Sequence, residues 1–347
     1  AATADAFFAG AQIDQSVLNA DRSQGVFQQD FIQFSRNLIS QNRVDNGARN
    51  SQRFDSTFRA IETRFGIPRG VLLAFWAFET DYGAVQGNFN TRNALLTLAH
   101  DCRRPDLFRP QLIAAIELYR RGGMDPATTL GAWAGEIGQL QKLPREIVEK
   151  GMDGDGDGVV DLKNSAPDAL MTGANVLSSL GWRPDEPWMH EITVPANLDW
   201  AQTGLTQKRP VSDWAAMGVT ARQGSLGPST LPAAILLPMG RNGPAFMTYP
   251  NFDVYFEWNR SFVYVTTAAY FATRLSGAPV YNAGNPSPAL TGDQMRLLQQ
   301  RLTARGHDVG GIDGILGAMT RNAVQAEQAR LGLPADAWPT RDLLNQL

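Results

Sequence analysis

The spacing of apolar residues predicts helices in the first half of the chain. Residues 53 to 65 and 68 to 81 have helical periodicity and are joined by a Gly-Ile-Pro connection. Pro68 suits a first helical turn, and Gly83 suits a C-terminal stop. A third helix is predicted over 106 to 121, where one apolar stripe contains Leu112, Ile116 and Tyr119.

The pattern changes in the second half. Strand-like runs on either side of Asn242-Gly243 predict a β-hairpin within an insert over about residues 186 to 265. Residues 277 to 290 are rich in Gly, Pro, Ala and Asn and are typical of a linker. Two short helical patterns follow in 291 to 347. We therefore predict a mainly α protein of α+β character, with a main body over 1–276, a small β insert and a small C-terminal helical domain.

Composition and charge narrow the class of protein. The chain has 347 residues, 43% of them hydrophobic and 19% charged, with a net charge of −3. Acids and bases are interleaved, which argues against nucleic acid as a partner and against a polybasic membrane anchor. No apolar run reaches the roughly 18 to 20 residues that span a bilayer, and a single cysteine, Cys102, excludes an intrachain disulfide. The opening AATADAFFAG is typical of a mature end left by signal-peptide removal, although an artificial boundary would look the same.

One carboxylate follows a run of aromatic residues. In helical register, Phe75 and Trp76 precede Glu79 by four and three residues, so their rings cover the same face. Apolar walls and the negative end of the helix dipole both disfavour a charged carboxylate there. An acid that keeps its proton near neutral pH is what general-acid cleavage of a glycosidic bond requires. The alternative is a glutamate at a helix end that extends to water.

The segment ETDYG, residues 79 to 83, resembles the E-[ST]-x-[FY]-G signature of the lysozyme-like lytic transglycosylases. Within that group it is most similar to the membrane-bound or soluble lytic transglycosylase B type. Further similar stretches follow in the expected order: NTRNALLTLAHDCRRPDLFRPQL, GAWAGEIGQLQKLP, GMDGDGDGVVDL, LDWAQTGL and YPNFDVYFEWNRSFVY. The resemblance covers roughly residues 7 to 275 and implies a lysozyme-like catalytic core over about 55–185 with a helical flank.

This resemblance implies non-hydrolytic cleavage of the MurNAc-β-1,4-GlcNAc bond of peptidoglycan, which forms 1,6-anhydroMurNAc ends without an organic cofactor. Ordinary glycosidases use two carboxylates. The acid nearest to Glu79 in sequence, Asp81, points to a different side of the helix, so Glu79 is expected to act as the sole acid and base.

Further positions match the substrate-binding stretches of this family. Gln141 corresponds to a glutamine that contacts the sugar, and the glycines around it would let the backbone approach substrate. Asn259 and Tyr264 correspond to an Asn and a Tyr of the stretch Y-N-x-S-x-x-Y. Trp258 and Glu136 complete the candidate substrate contacts. For each position the alternative is ordinary loop or core packing.

Several positions depart from the family pattern. Ala132 replaces a serine that would hydrogen-bond the catalytic carboxylate, and Glu136 replaces an alanine. Trp258 stands where a tyrosine is usual, and a tyrosine of the cleft corresponds to Val176. Glu136 could act as a second carboxylate.

An acidic loop has the spacing of an EF-hand. The pattern D-x-D-x-D-G begins at Asp153, but Asn164 stands where a closing glutamate is usual. The resembling family uses a later aspartate, which corresponds to Asp168. We expect a structural Ca²⁺ here; an acidic turn without an ion, or with Na⁺, is the alternative. The candidate ligands are Asp153, Asp155, Asp157, Val159 (through its carbonyl), Asp161 and Asp168.

Residues 291–347 resemble the three-helix peptidoglycan-binding domain 1 family. One predicted core stripe contains Met295, Leu298 and Leu302. Glu327 stands where an aromatic residue is usual, and a generic helical appendage is the alternative. A wall-binding tail would raise the local concentration of the enzyme on its polymer.

Together these features predict a periplasmic lytic murein transglycosylase that acts as a monomer on peptidoglycan glycan strands. Other cell-wall enzymes are open as further partners. Two alternatives remain: a wall-binding protein with weak or lost catalysis, supported by the departures at 132, 176 and 258, and a lysozyme-like muramidase that hydrolyses the same bond.

Overall fold

A computed structural model describes residues 2–23 and 29–347 of the chain. Its helices are α1 (Ala2–Phe8), α2 (Gln15–Arg22), α3 (Phe31–Leu38), α4 (Gln41–Arg53), α5 (Asp55–Phe65), α6 (Arg69–Thr80), α7 (Thr91–His100), α8 (Pro105–Arg120), α9 (Pro144–Lys150), α10 (Ala166–Ser179), α11 (Val211–Ala216), α12 (Pro250–Trp258), α13 (Phe262–Leu275), α14 (Gly292–Ala304), α15 (Ala318–Arg330) and α16 (Arg341–Gln346). Its strands are β1 (Phe89–Asn90), β2 (Leu130–Gly131), β3 (Met189–Thr193), β4 (Arg209–Pro210), β5 (Thr220–Ala221), β6 (Pro232–Leu236) and β7 (Phe246–Thr248). The mainly helical fold with a small β component is confirmed. Within these described ranges, every helix is too short or too polar to cross a bilayer.

The chain divides into two compact units. The first comprises the described residues of 1–25 together with Gln41–Ser179, and the second the described residues of 26–40 together with Leu180–Leu347. The first unit therefore contains α6 and the acidic loop. The second contains the β insert, the segment predicted as a linker and the C-terminal helices.

In the first unit, α5, α6 and α8 form where the apolar pattern predicts them. The extended backbone of Pro68 precedes the first turn of α6. Every residue from Gly70 to Ala77 is buried, so α6 is a core helix without a polar face along that stretch. It ends at Thr80, and the capping residue that follows, Asp81, has a left-handed backbone with φ of 51°.

In the second unit, the β insert is a five-stranded antiparallel sheet of order β4-β6-β7-β3-β5. The predicted pairing around Asn242-Gly243 exists, because Leu236 faces Phe246 and Ala234 faces Thr248. The Asn-Gly pair does not form a two-residue turn. Residues 237 to 245 form a longer connection between β6 and β7. The β insert also ends before the predicted boundary, because 250–265 belongs largely to α12 and α13.

The segment predicted as a linker, described in full, is irregular but fastened within the second unit. Tyr281 is buried at 7% exposure, and its hydroxyl lies 2.8 Å from Ser35 Oγ. Its ring packs against Tyr270 with 4.8 Å between centroids. The Nε1–H of Trp338 donates to the Ser287 carbonyl at 3.0 Å. These contacts are unlike those of a free Gly-rich chain, because buried aromatic rings hold the segment in place.

The C-terminal helices pack as predicted around Met295, Leu298 and Leu302, all of them buried. Glu327, which replaces the usual aromatic residue, is also buried at 3% exposure. Its carboxylate accepts a hydrogen bond from Arg330 and lies 2.8 Å from His307 Nε2. An ion cluster therefore occupies the position of an aromatic ring.

The C-terminal helices are also fixed to the β insert. Arg321 on α15 is buried at 8% exposure and donates to the Leu237 and Pro238 carbonyls at 3.4 and 2.7 Å. Its guanidinium lies 4.1 Å from the centroid of the Phe262 ring. Gln325 Nε2, one turn further along, donates to the Thr203 carbonyl at 2.9 Å.

Candidate active site

Glu79 lies in the last turn of α6 and is half-buried. The two preceding aromatic residues are deep in the core, Phe75 at 0% and Trp76 at 2% exposure. The apolar core expected from the sequence is therefore present along α6 directly before Glu79. Its partial exposure leaves it accessible to a ligand, which differs from a fully buried packing residue.

The chain reverses directly after Glu79 through an unusual run of left-handed residues. Asp81, Tyr82 and Gly83 have φ of 51°, 60° and 87°. For the two residues with a Cβ, this conformation costs about 1 kcal/mol each. Arg43 on α4 offsets that cost, because its Nε contacts Asp81 Oδ1 at 3.0 Å and its carbonyl accepts from the Tyr82 hydroxyl at 2.7 Å. The sequence analysis missed Arg43, since nothing local relates it to a turn far along the chain.

A second segment, the turn 136–142, is tied to the end of α6. The Thr80 hydroxyl donates to the Gln139 carbonyl at 2.6 Å and accepts from Gly83 N–H at 2.9 Å. Ile137 and Lys142 exchange both backbone hydrogen bonds, at 2.9 and 3.0 Å. Gly138 has φ of 80°, and a Cβ there would lie 2.5 Å from the Leu162 carbonyl oxygen, so glycine is required. The residue beside Glu79 thus anchors this turn.

Gln141 is held in one orientation by that turn. Its own φ is 51°, and its Nε2 donates to the Gly138 and Gln86 carbonyls at 2.9 and 3.3 Å. Both bonds use the amide nitrogen. The geometry therefore fixes the side chain before any ligand binds, which suits a recognition residue.

Glu136 is half-buried in the same turn and interacts electrostatically with Glu79. Burial raises the pKa of the Glu136 carboxyl and the charge of Glu79 raises it further, whereas backbone hydrogen bonds at Glu136 and Ala134 lower it. Its Oε2 is shielded from solvent, with no hydrogen-bond partner among the described residues. The structure therefore brings a second carboxyl group, with a strengthened hold on its proton, close to the first.

The remaining candidate substrate contacts lie together on the second unit. Trp258 ends α12, Asn259 follows it, and Tyr264 lies in the first turn of α13; all three are half-buried. Asn259 Oδ1 accepts from Ser261 N–H at 2.8 Å. Ser261 in turn caps α13 by accepting from Tyr264 N–H. The α12–α13 connection thus holds these residues within one short segment.

The departures from the family pattern have different structural settings. Val176 is buried at 1% exposure within α10 and is a core residue. Ala132 is half-buried and donates its backbone N–H to the Glu136 carbonyl at 3.0 Å. The backbone of Ala132 therefore supports the position of Glu136.

The acidic loop connects α9 to α10. One carboxylate oxygen from each of Asp153, Asp155 and Asp157 lies within 4.8 Å of the others, and all three residues are exposed. Hard oxygen donors in such a group match the preference of Ca²⁺. The structure therefore brings together three of the six predicted ligands.

Asp161 and Asp168 lie outside that group. Asp168 is buried at 1% exposure, and its oxygens accept from the backbone N–H groups of Gly154 and Asp161, both at 2.8 Å. Asp161 Oδ1 accepts from Lys163 and Asn164 N–H, both at 3.0 Å. The structure thus shows Asp168 as a support for the loop backbone at the start of α10.

Comparison with known proteins defines the class. Residues 1–273 match the Transglycosylase SLT domain family. Residues 291–347 match the peptidoglycan binding domain family. Because the first match covers most of the chain, this protein belongs to the SLT transglycosylase family, and it is homologous to lytic murein transglycosylases.

Individual relatives agree with this assignment. SltB3 from Pseudomonas aeruginosa, solved in complex with NAG-anhNAM-pentapeptide, is 36% identical with a TM-score of 0.89, covering 100% of this chain and 94% of SltB3. Slt35 from Escherichia coli, solved in complex with calcium, is 25% identical with a TM-score of 0.64, covering 77% of this chain and 84% of Slt35. Membrane-bound lytic murein transglycosylase B from Escherichia coli (strain K12) is 25% identical over 234 residues, which is 67% of this chain and 63% of that relative.

Proposed function

We propose that this protein is a lytic transglycosylase that cleaves the MurNAc-β-1,4-GlcNAc bond of peptidoglycan without water. Glu79 is the acid and base. The observation that carries the proposal is a half-buried carboxyl group at the end of the buried helix α6, fixed by Thr80 to the turn that holds Gln141. Membership of the transglycosylase family and the ligand bound to SltB3 agree with this chemistry.

The reaction needs one carboxyl group in two roles. Glu79 gives its proton to the glycosidic oxygen, and the bond between that oxygen and C1 of MurNAc breaks. The acetamido group of the substrate stabilises the resulting cation. Glu79, now a carboxylate, takes the proton of the C6 hydroxyl as that oxygen bonds to C1, which forms the 1,6-anhydro ring and restores the acid. The intramolecular hydroxyl outcompetes water because its effective concentration is high.

Further features of the proposal concern substrate binding and location. Gln141 and Glu136 are proposed sugar contacts of the first unit. Trp258, Asn259 and Tyr264 belong to the second unit and stay predicted substrate contacts. The C-terminal domain binds the wall, which implies a periplasmic location. Because that domain is fixed to the β insert through Arg321, it acts as a rigid wall contact for its own unit.

We also propose that the acidic loop holds a structural Ca²⁺. Asp153, Asp155 and Asp157 supply carboxylate oxygens and Val159 a backbone carbonyl; Asp161 and Asp168 stay predicted ligands. The bound ion would compensate the mutual repulsion of the carboxylates and hold α9 against α10. Slt35, solved with calcium, agrees with this assignment.

A second candidate function is hydrolysis of the same bond. Its support is a second carboxyl group, Glu136, which interacts electrostatically with Glu79 and whose pKa is raised by burial. In that case water would attack C1, and the products would carry reducing ends.

One digestion separates these functions. Purified sacculi are incubated with wild type, with Glu79→Gln, and with Glu149→Gln as a matched control at an exposed glutamate of α9. Mass spectrometry then identifies the sugar ends. We expect anhydro ends from wild type and the control, and none from Glu79→Gln. Reducing ends would show a muramidase instead, and absence of release by wild type would show a binding protein.

A further inference from the structure

A buried lysine lies in the turn that carries the candidate site. Lys142 is 6% exposed, and its Nζ contacts Glu146 Oε2 on α9 at 3.3 Å. Lysine is among the residues that are rarely buried in proteins. Glu146 is 30% exposed at its side chain, so the ion pair is buried on the lysine side only.

The position of Lys142 relates it to Glu79. The turn 136–142 is tied to α6 by the hydrogen bond from Thr80, the neighbour of Glu79, to the Gln139 carbonyl. Lys142 closes that turn through its paired backbone hydrogen bonds with Ile137. In addition, Glu79 is one of the two carboxylates that act electrostatically on the ammonium of Lys142. The turn therefore brings both a carboxyl group, Glu136, and an ammonium group towards Glu79.

Burial of this charge destabilises the folded state. Burial lowers the pKa of Lys142, which means that the protein disfavours its charge, while Glu146 and Glu79 favour it. Replacing a whole buried ion pair by apolar side chains of similar volume is often neutral or stabilising, whereas removing one partner alone is destabilising. A buried ionisable group with a specific charged partner beside a candidate catalytic carboxyl is a candidate for a functional role.

We propose that Lys142 is a positioning residue for Glu79, whose ammonium supplies the counter-charge to the carboxylate that forms each time Glu79 gives up its proton. The inference rests on the proposed function. When the glycosidic bond breaks, Glu79 becomes an anion in a half-apolar setting. A fixed ammonium stabilises that anion without rearrangement of solvent, as preorganised charges do in active sites. Lys142 itself need not touch the sugar.

Other charged groups also act on this pair. Lys142 is influenced by Glu146, Glu79 and, with opposite sign, Lys150. Glu79 is faced in addition by Glu136, whose raised pKa favours its neutral form. Arg104 acts in turn on Glu136. Lys142 is the cation proposed to act on Glu79.

The test compares Lys142→Met, Lys142→Arg and the surface control Lys208→Met on soluble peptidoglycan fragments. In Lys142→Met we expect kcat to fall about tenfold with KM unchanged, because the lost charge acts after binding. Lys142→Arg should retain the kcat of wild type, and Lys208→Met should match wild type throughout.

Two outcomes would overturn the inference. In the first, Lys142→Met keeps the kcat of wild type. In the second, Lys142→Arg and Lys142→Met lose activity equally together with Tm, which would assign Lys142 to packing. Failure of the proposed function is distinguishable, because it would show as absence of anhydro ends from wild type or their persistence in Glu79→Gln.

Discussion

The contact between Arg321 and the β insert gives a sharp prediction about the C-terminal domain. Arg321→Met keeps an unbranched side chain of similar length but removes the guanidinium that donates to the Pro238 carbonyl and stacks on Phe262. Burial lowers the pKa of Arg321 to about 9, which leaves it charged at neutral pH. The substitution therefore removes a charged, buried connection between α15 and the connection after β6.

The expected loss can be worked out from these contacts. An unpaired buried carbonyl costs about 1 to 3 kcal/mol, and a desolvated cation–π contact contributes about 2 kcal/mol. Part of this is offset, because the guanidinium no longer has to be desolvated and its Nε lacks a partner among the described residues. We expect a net loss of about 2 kcal/mol, which is a factor of about 30 in the opening equilibrium of this contact.

Hydrogen exchange measured by mass spectrometry is the assay. Peptides that cover α15 should exchange about 30-fold faster in Arg321→Met, since their exchange rate follows the opening equilibrium, while peptides from α6 should be unchanged. Arg296→Met, at a partly exposed arginine of α14, is the matched control. Exchange of α15 within twofold of wild type would refute the assignment of Arg321 as the fixing residue.

Two further predictions concern the first unit. Because the folded state raises the pKa of Glu136, it binds more protons than the unfolded chain between the ordinary and the raised value, and stability falls as pH rises through that interval. Glu136→Gln should therefore be more stable than wild type at neutral pH and similar at pH 4 in thermal melts; equal melts at both pH values would contradict this. Ca²⁺ at 100 times its dissociation constant should stabilise the protein by about 2.7 kcal/mol, and Asp155→Ala or Asp157→Ala should abolish this. Absence of calorimetric heat with wild type in the millimolar range would contradict the metal site.

The local sequence predicted much of the first unit. The helical pattern before Glu79 specified α6 and the burial of Phe75 and Trp76, because a run of apolar residues at helical spacing has few other stable placements. The grouping of the aspartates in the acidic loop could also be predicted, since these residues are close in sequence. The turn chemistry was less reliable: Asn242-Gly243 lies in a longer connection than its dipeptide suggests.

Contacts between distant parts of the chain could not be predicted in this way. Arg43, Lys142 and Arg321 carry no local signal, because their roles depend on partners brought near by folding. The sequence shows Glu327 only as the replacement of an aromatic residue. Its contacts with His307 and Arg330 exist because folding brings these residues together.

The sequence by itself determined the family, the mainly helical fold, and a carboxyl group at the end of an apolar helix, because these follow from short-range periodicity and motif order. The tertiary structure decided which charges surround that carboxyl group and whether the C-terminal domain is free or fixed. The physical reason is that electrostatic and hydrogen-bond energies depend on distance in space, which spacing along the chain does not specify.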